Sequence, residues 1–406
     1  MVNINSRSRV SDKMRQIVVV GGGPAGTSLA IRLAQQNFSV TVIEREKFPR
    51  EKLCGEFISP ECLRHFHELG VFDKMLSAGG DRISETYFYA VSGKNIAVPS
   101  HWFDGGEAAL SLSRAEMDLQ LLERTRAVGV RVLEGSSVVE VELQNNVIEG
   151  LSIRQKSGES RTISGDLFID ATGRSRILSK LIGKRSLTKT PKAINQKPAL
   201  IGFKAHMSGV RLERGRCDIY SFPDGYCGLS NVENGLSNLC MLVRSAAVRK
   251  YNSDVDAVVH ELLFRNRRAS ETLKDAKPVH DWIAVAVDRF GVCDLDPAEN
   301  VLAVGDAAAF IDPFTGSGML LAFESSELLA NSIMEHENAS EIAAAYKAEY
   351  QARFARRLNV GGLVRRVAFM PRSASFLISA LSVNKTAREY LARATRQSTR
   401  TRTNKR

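Results

Sequence analysis

The chain lacks the marks of several large protein classes. It has no run of about 18 apolar residues, so no segment is expected to span a bilayer. Its six cysteines, Cys54, Cys62, Cys217, Cys227, Cys240 and Cys293, form no C-x-x-C pair and no zinc spacing. Reduced thiols in a cytoplasmic compartment are the expectation. No apolar stretch of signal-peptide length follows the polar, basic residues 1–15, which read as a disordered leader rather than a secretory one. The seven histidines form no H-E-x-x-H, and no G-x-S-x-G stands out, so neither a metal nor a side-chain nucleophile is expected to do the chemistry. That leaves a bound cofactor.

Acid is what the C-terminal end lacks. Of the 406 residues, 56 are Lys or Arg and 45 are Asp or Glu, a net charge of +11. From Tyr350 onward there are 14 bases and a single acid, Glu389, so this stretch carries +13 and the remainder is close to neutral. The basic character therefore says nothing about the body, and no nucleic-acid partner is expected. With 44% hydrophobic and 25% charged residues the body reads as an ordinary globular protein.

The strongest positive signal lies in the first fifty residues. Gln16-Ile-Val-Val-Val20 has the β-branched run of a buried parallel strand. Gly21-Gly-Gly-Pro-Ala25-Gly26 follows, then helical spacing from Thr27 to Gln36, a second strand Ser39–Ile43, and Glu44. Strand, G-x-G-x-x-G, helix, strand and acid is the order a dinucleotide site requires. Gly21 permits the tight turn, Gly23 lets a diphosphate approach the backbone, and Gly26 lets helix and strand pack closely. The helix N-terminus offers free N–H groups to the phosphates, and Glu44 is placed for the adenosine ribose. A carboxylate there disfavours a ribose 2′-phosphate.

Three later stretches select FAD over NAD. Ser113-Arg114-Ala-Glu116 opens a helix to about Val128 with a capping box and leads into a strand at Val130 to Leu133. Asp166 to Gly173 is an apolar strand containing Asp170 and ending in a small-residue turn before Arg174. Asn300 to Asp306 is a strand ending in Gly-Asp, followed by Gly316-Ser-Gly318 and a helix from about Met319 to Glu335. In this order the stretches resemble the FAD-dependent oxidoreductases of the aromatic-hydroxylase and geranylgeranyl-reductase superfamily, from Ile17 to about Ile333. The resemblance implies that Glu44 and Arg45 hold the adenosine end, that Arg114 reaches the flavin or its diphosphate, and that the backbone near Val138 meets the adenine. It implies further that Asp170 and Gly173 form the second fingerprint, that Asp306 binds the ribityl and diphosphate region, and that Gly316 and Gly318 start a helix facing the flavin pyrimidine edge. Taken alone, Asp306 also reads as an N-cap.

On the substrate side, Cys54-Gly55-Glu56 resembles the Cys-Gly stretch of the reductase branch. Cys54 is the candidate catalytic residue, as proton donor or flavin tuner; a small buried thiol is the alternative. Arg50 and Lys52 read either as phosphate partners or as a solvated loop. Phe203–His206, Cys217–Phe222, Tyr226–Val232 and Leu236–Val243 are candidate antiparallel strands, with Glu233-Asn-Gly235 as a hairpin turn. By resemblance this sheet carries the substrate pocket, with Tyr220, Phe222, Tyr226, Cys227 and Met241 as its lining; sheet core is the other reading. Flavin halogenases carry a Trp-x-Trp-x-Ile element; neither Trp102 nor Trp282 sits in one, so halogenation is not expected. The aromatic-x-Trp-x-Phe-Pro element of prenyl reductases is replaced by Gly225-Tyr226-Cys-Gly-Leu-Ser230.

The expected fold is α/β: a three-layer, Rossmann-like FAD-binding domain with an inserted antiparallel sheet domain and a C-terminal helical region. The expected segments are a leader at 1–15, FAD-binding segments at 16–185 and 291–338, a substrate domain at 186–290, and C-terminal helices with a basic tail at 339–406. The expected activity is monooxygenation of a hydrophobic or aromatic small molecule through a flavin hydroperoxide, with NAD(P)H as reductant. The alternatives are FAD-dependent reduction of an alkene and a non-catalytic lipid-binding flavin-fold protein. For the tail, peripheral membrane contact stands beside a helix packed over the FAD domain. The oligomeric state is left open.

Overall fold

The computed structural model describes residues 15–103, 108–185, 199–287, 290–369 and 371–394. Residues 1–14 of the expected leader, the whole 186–198 stretch and the Arg-rich end beyond 394 lie outside the described residues.

Two sheets organise the molecule. The first is parallel and five-stranded, in the order Val301–Ala303, Leu167–Asp170, Gln16–Val20, Ser39–Ile43, Arg131–Leu133. Its central strand shows why it is buried on both faces. Ile17 and Val19 pack with Leu29 and Leu33 of the Pro24–Ala34 helix and Leu321 and Leu329 of the Gly318–Glu335 helix. Val18 and Val20 face the other way, against Val141, Leu151 and Ile153 of a three-stranded antiparallel sheet (Ser136–Gln144, Val147–Gln155, Ser160–Ser164). The continuous apolar run of residues 17–20 serves these two cores at once. The first helix begins at Pro24, three residues before the sequence expectation, because proline at the first helical position costs no hydrogen bond there. Half of the expected capping box forms: the Ser113 side chain accepts from the Glu116 N–H, but the Ser113 N–H donates to Glu233 at 3.0 Å and not to Glu116, and the helix runs Arg114–Ala127.

The second sheet is antiparallel at its centre, with Leu200–Ser208, Ser237–Arg244, Gly225–Asn231 and Arg216–Phe222 as neighbours. The hairpin turn has Asn234 at φ 61° and Gly235 at φ 70°, the left-handed pair that an Asn-Gly turn supplies. The sheet also takes in Glu85–Tyr89 and Asn95–Pro99, from within the first FAD-binding segment; Glu85–Tyr89 lies parallel to Arg216–Phe222. It is therefore not confined to residues 186–290. One face packs on the short helices Ser245–Lys250, Val255–Glu261 and Arg267–Thr272. The other face looks back toward the parallel sheet, and a cavity lies between.

The C-terminal region is helical throughout its described length, as Ala339–Ala368, Pro371–Val383 and Lys385–Ala394. The first of these packs on the Gly318–Glu335 helix, on the FAD-domain side, while the last two lie on the Asn95–Pro99 strand of the antiparallel sheet. No helix among the described residues is long and apolar enough to cross a membrane.

Candidate functional site

One cavity of about 1110 Å³ runs from the C-terminal ends of the parallel strands to the antiparallel sheet. That exceeds the roughly 300–1,000 Å³ of an ordinary small-molecule pocket. Its two ends differ in chemistry.

The first end is built for an anion. Gly21 and Gly26 are glycines for packing: a Cβ on Gly26 would overlap the Gly21 carbonyl oxygen, and one on Gly21 (φ 112°) would overlap that of Ala171. Gly23 is different. A Cβ there would meet no protein atom closer than Arg50 Nη2 at 3.8 Å and Arg114 Nη2 at 3.9 Å, and would project into the cavity. Gly23 is also the N-cap of the first helix, and the open space beside it leaves room for a ligand to approach the backbone closely. The Pro24–Ala34 helix starts beside it and adds its N-terminal partial charge.

Four cations converge on the same space: Arg50, Lys52, Arg114 and Arg174 all line it. The buried Asp118 orients two of them. Its carboxylate takes a two-pronged bond from Arg114, at 2.8 and 2.7 Å, and lies 3.1 Å from Arg50. Crowding in the cleft, then the charges of Arg50, Arg114, Arg45 and Arg174, pull Lys52 down to about 8, although its ammonium still reaches solvent at the mouth. Together these cations would offer countercharge to a diphosphate held in the cavity.

The remaining predicted residues fall around this end, with two exceptions. Ala25, Glu44, Arg45, Val138, Gly173, Asp306, Gly316 and Gly318 all line the cavity. Glu44 is fixed by the N–H groups of Gly22 at 2.7 Å and Glu46 at 2.9 Å. Burial raises the Asp306 carboxyl above its ordinary value although Arg174, Arg114 and Lys52 oppose this. Gly26 and Asp170 are not in the lining. Asp170 is fully buried, and its carboxylate accepts from the N–H and hydroxyl of Thr172 and the N–H groups of Leu178 and Ser179. It shapes the loop that presents Gly173 and Arg174 and lies outside the cavity wall itself.

The second end is apolar. Phe88, Ile96 and Val98 of the two added strands face Ile219 and Leu242, and Leu377, Ile378, Leu381 and Leu391 of the last two helices close it. Of the five expected lining residues, Tyr226 faces the cavity; Met241 borders it but packs, like its cross-strand partner Cys227, into the core on the opposite face. Tyr220, Phe222 and Cys227 point to the opposite face, into the core with the short helices. Strand alternation had two phases, and in Arg216–Phe222 the wall takes Cys217, Ile219 and Ser221. The Tyr226 hydroxyl donates to Asp312 at 2.9 Å, tying the sheet to the loop before Gly316.

Cys54 and Gly55 line the cavity, and Cys54 is half-buried, its sulfur accepting from the Glu56 N–H at 3.4 Å. Behind them lies a group that sequence reasoning missed. Glu56, fully buried, accepts from Lys204 Nζ at 2.6 Å, the Arg114 N–H at 2.8 Å and His206 Nε2 at 2.7 Å. Lys204 also pairs with Glu51. No local motif marks this cluster, because Glu56 and its partners are about 150 residues apart. Glu51, Glu56 and His206 gather like metal ligands, but Lys204 already occupies the place of a cation.

Burial works to raise the Glu56 carboxyl, but His206 and Lys204 outweigh it and leave it below the ordinary range. An acid held low contributes stability that is complete above its unfolded value, about 4.3, and is lost as pH falls through the folded value. Glu56→Gln is therefore expected to lower unfolding free energy at neutral pH by about 3 kcal/mol, since it leaves Lys204 less compensated. The deficit should shrink under strongly acid conditions. Urea unfolding of both proteins across pH checks this; a deficit that does not change with pH would contradict it.

Residues 14–359 match the family described as "FAD binding domain". The flavin-dependent halogenase armH4 of Armillaria mellea is 28% identical over 367 residues, covering 81% of this chain and 67% of its own. Digeranylgeranylglycerophospholipid reductase 1 of Methanococcoides burtonii is 24% identical over 365 residues, covering 87% and 83%. Among solved structures, the flavin-dependent brominase Bmp2 superposes with a TM-score of 0.75 at 17% identity, over 94% of this chain and 93% of that one, a likeness of fold.

Proposed function

Since the chain belongs to the FAD binding domain family and is an FAD-dependent oxidoreductase, we propose that it transfers one oxygen atom to a hydrophobic or aromatic small molecule. The observation that carries this reading is the single cavity with one cationic and one apolar end. The donor set fits FAD. Gly23, Arg50, Lys52 and Arg114 would hold the diphosphate, Glu44 the adenosine ribose, and Val138 the adenine. Arg45, Gly173 and Asp306 stand where further polar contacts fall, and the helix start at Gly316 and Gly318 offers N–H groups to a developing negative charge. When bound, the flavin supplies the redox chemistry. The chain's part is to exclude water and to hold the apolar substrate beside it. NAD(P)H is the proposed reductant, bound transiently, since the sequence carries one complete dinucleotide fingerprint.

Alkene reduction is the second reading, favoured by Cys54 and Gly55 standing in the cavity wall where a proton donor to substrate would be needed. Flavin-dependent halogenases stand among the relatives, but neither Trp102 nor Trp282 sits in a Trp-x-Trp-x-Ile element, which counts against halogenation. Product formation by reduced enzyme, with and without oxygen, separates the readings. Product that requires oxygen supports monooxygenation; equal yield in its absence rejects it for the reductase.

The cofactor site has its own test. At pH 8 about half of the Lys52 ammonium groups are neutral in the apoprotein. A diphosphate beside it favours the charged form, so FAD binding is expected to take up roughly half a proton at pH 8 and almost none at pH 6. Calorimetry in two buffers of different ionisation enthalpy measures this; identical heats at pH 8 would refute it.

A further inference from the structure

The last two helices have two apolar faces. Inward, Leu377, Ile378, Leu381 and Leu391 close the cavity. Outward, Phe376, Val383 and Tyr390 are 76%, 86% and 67% exposed, the three most exposed large hydrophobic side chains among the described residues. Phe376, Ala380 and Val383 fall at i, i+4 and i+7, one stripe of a helix. The two helices pack on each other and on the Asn95–Pro99 strand, so their exposed residues belong to one continuous region of the surface. Lys385 and Arg393 are exposed beside them, Arg393 paired with Glu389. From Pro371 onward the sequence carries nine bases against one acid. Apolar side chains set among bases are the composition of a surface that lies on anionic lipid.

We propose that the outer face of these two helices docks on an anionic lipid bilayer, placing the apolar end of the cavity against the phase from which its substrate comes. This deepens the oxidoreductase reading and rests on its apolar substrate. Only the thin helical layer then separates the cavity from the bilayer, and a substrate poorly soluble in water need not cross the aqueous phase. A soluble partner protein and a second copy of this chain are the competing occupants, and a strong excess of positive charge argues against self-association of this face.

The test uses full-length, FAD-loaded protein and two vesicle types, phosphatidylcholine alone and phosphatidylcholine mixed with phosphatidylglycerol. Flotation with the mixed vesicles at low salt, and not with the neutral ones, is expected. The combined variant Phe376→Ser, Val383→Ser, Tyr390→Ser should cut the floated fraction by about tenfold with flavin content unchanged. Should that variant lose its flavin, Tyr390→Glu alone carries the same comparison. No flotation of the parent protein overturns the proposal, as does undiminished flotation of the variant, which would assign binding to the basic end alone. A parent dimer that the variant dissolves, without vesicle binding, overturns it in favour of a second copy. Parent protein that retains FAD and consumes reductant but does not float removes the docking and leaves the oxidoreductase reading intact. Protein that takes up no FAD removes that reading whatever the vesicles show.

Discussion

Gly23→Asp is expected to give a folded protein that no longer retains FAD. In the protein alone the new side chain has room, since the nearest atoms to its Cβ are the ends of two flexible arginines. Its carboxylate can pair with the guanidinium groups of Arg50 and Arg114, so the apoprotein should unfold at a denaturant concentration close to that of the parent. The same carboxylate takes the place of the diphosphate and repels it. A fall in FAD affinity of at least about a hundredfold is expected, or ~2.7 kcal/mol. Gly26→Ala is the control with the opposite signature. Its Cβ collides with the Gly21 backbone, which cannot swing aside, so the loss should appear as instability even without cofactor. Reconstitution titrations followed by flavin fluorescence, with urea unfolding of each apoprotein, measure both effects. Parent-like FAD affinity in Gly23→Asp would sink the assignment of this glycine to the diphosphate.

The second large effect is expected directly behind the cavity wall, at Arg357. Its side chain is fully buried on the Ala339–Ala368 helix. It donates to Glu324 at 2.6 Å and to the carbonyl oxygen of Ser317 at 2.9 Å. Ser317 caps the helix that starts at Gly318, where the cavity begins. Arg357→Met removes the charge but keeps most of the volume. It leaves the buried Glu324 with Arg353 as its remaining cation, at 3.5 Å, so the cost belongs at the lower part of the range for a broken buried pair, about 3 kcal/mol. FAD affinity should fall with it, because the Ser317–Gly318 backbone loses an anchor. Adding Glu324→Gln should recover part of the stability by removing the stranded charge. A parent-like urea midpoint for Arg357→Met would show that this pair does not hold the C-terminal helix in place.

What was legible in the sequence was local. The glycine turn, the serine N-cap at Ser113 and the Asn234-Gly235 hairpin each state their conformation within a few residues. The positions of Glu44 and Asp306 followed from strand ends, which a parallel sheet brings to one edge. What stayed hidden depended on distant pairing. Nothing near Glu85 says that it will lie beside Arg216, and nothing near Glu56 announces Lys204 and His206. Alternation in the antiparallel strands was visible, but its phase was set by which face the short helices cover, so Tyr220, Phe222 and Cys227 were assigned to the wrong side. Asp170 had the right place in its motif, yet its carboxylate turned back to serve its own loop.

The two strands lent to the antiparallel sheet from residues 85–99 bear on any attempt to re-engineer specificity. The pocket's apolar end is stitched from three stretches far apart in the chain: those strands, the central meander and the closing helices. A cassette exchange limited to the central stretch would hand a new host half a wall and a frayed sheet edge at Arg216–Phe222. Grafting a different substrate preference onto this scaffold requires transplanting all three together, or else changing side chains one at a time within the existing weave.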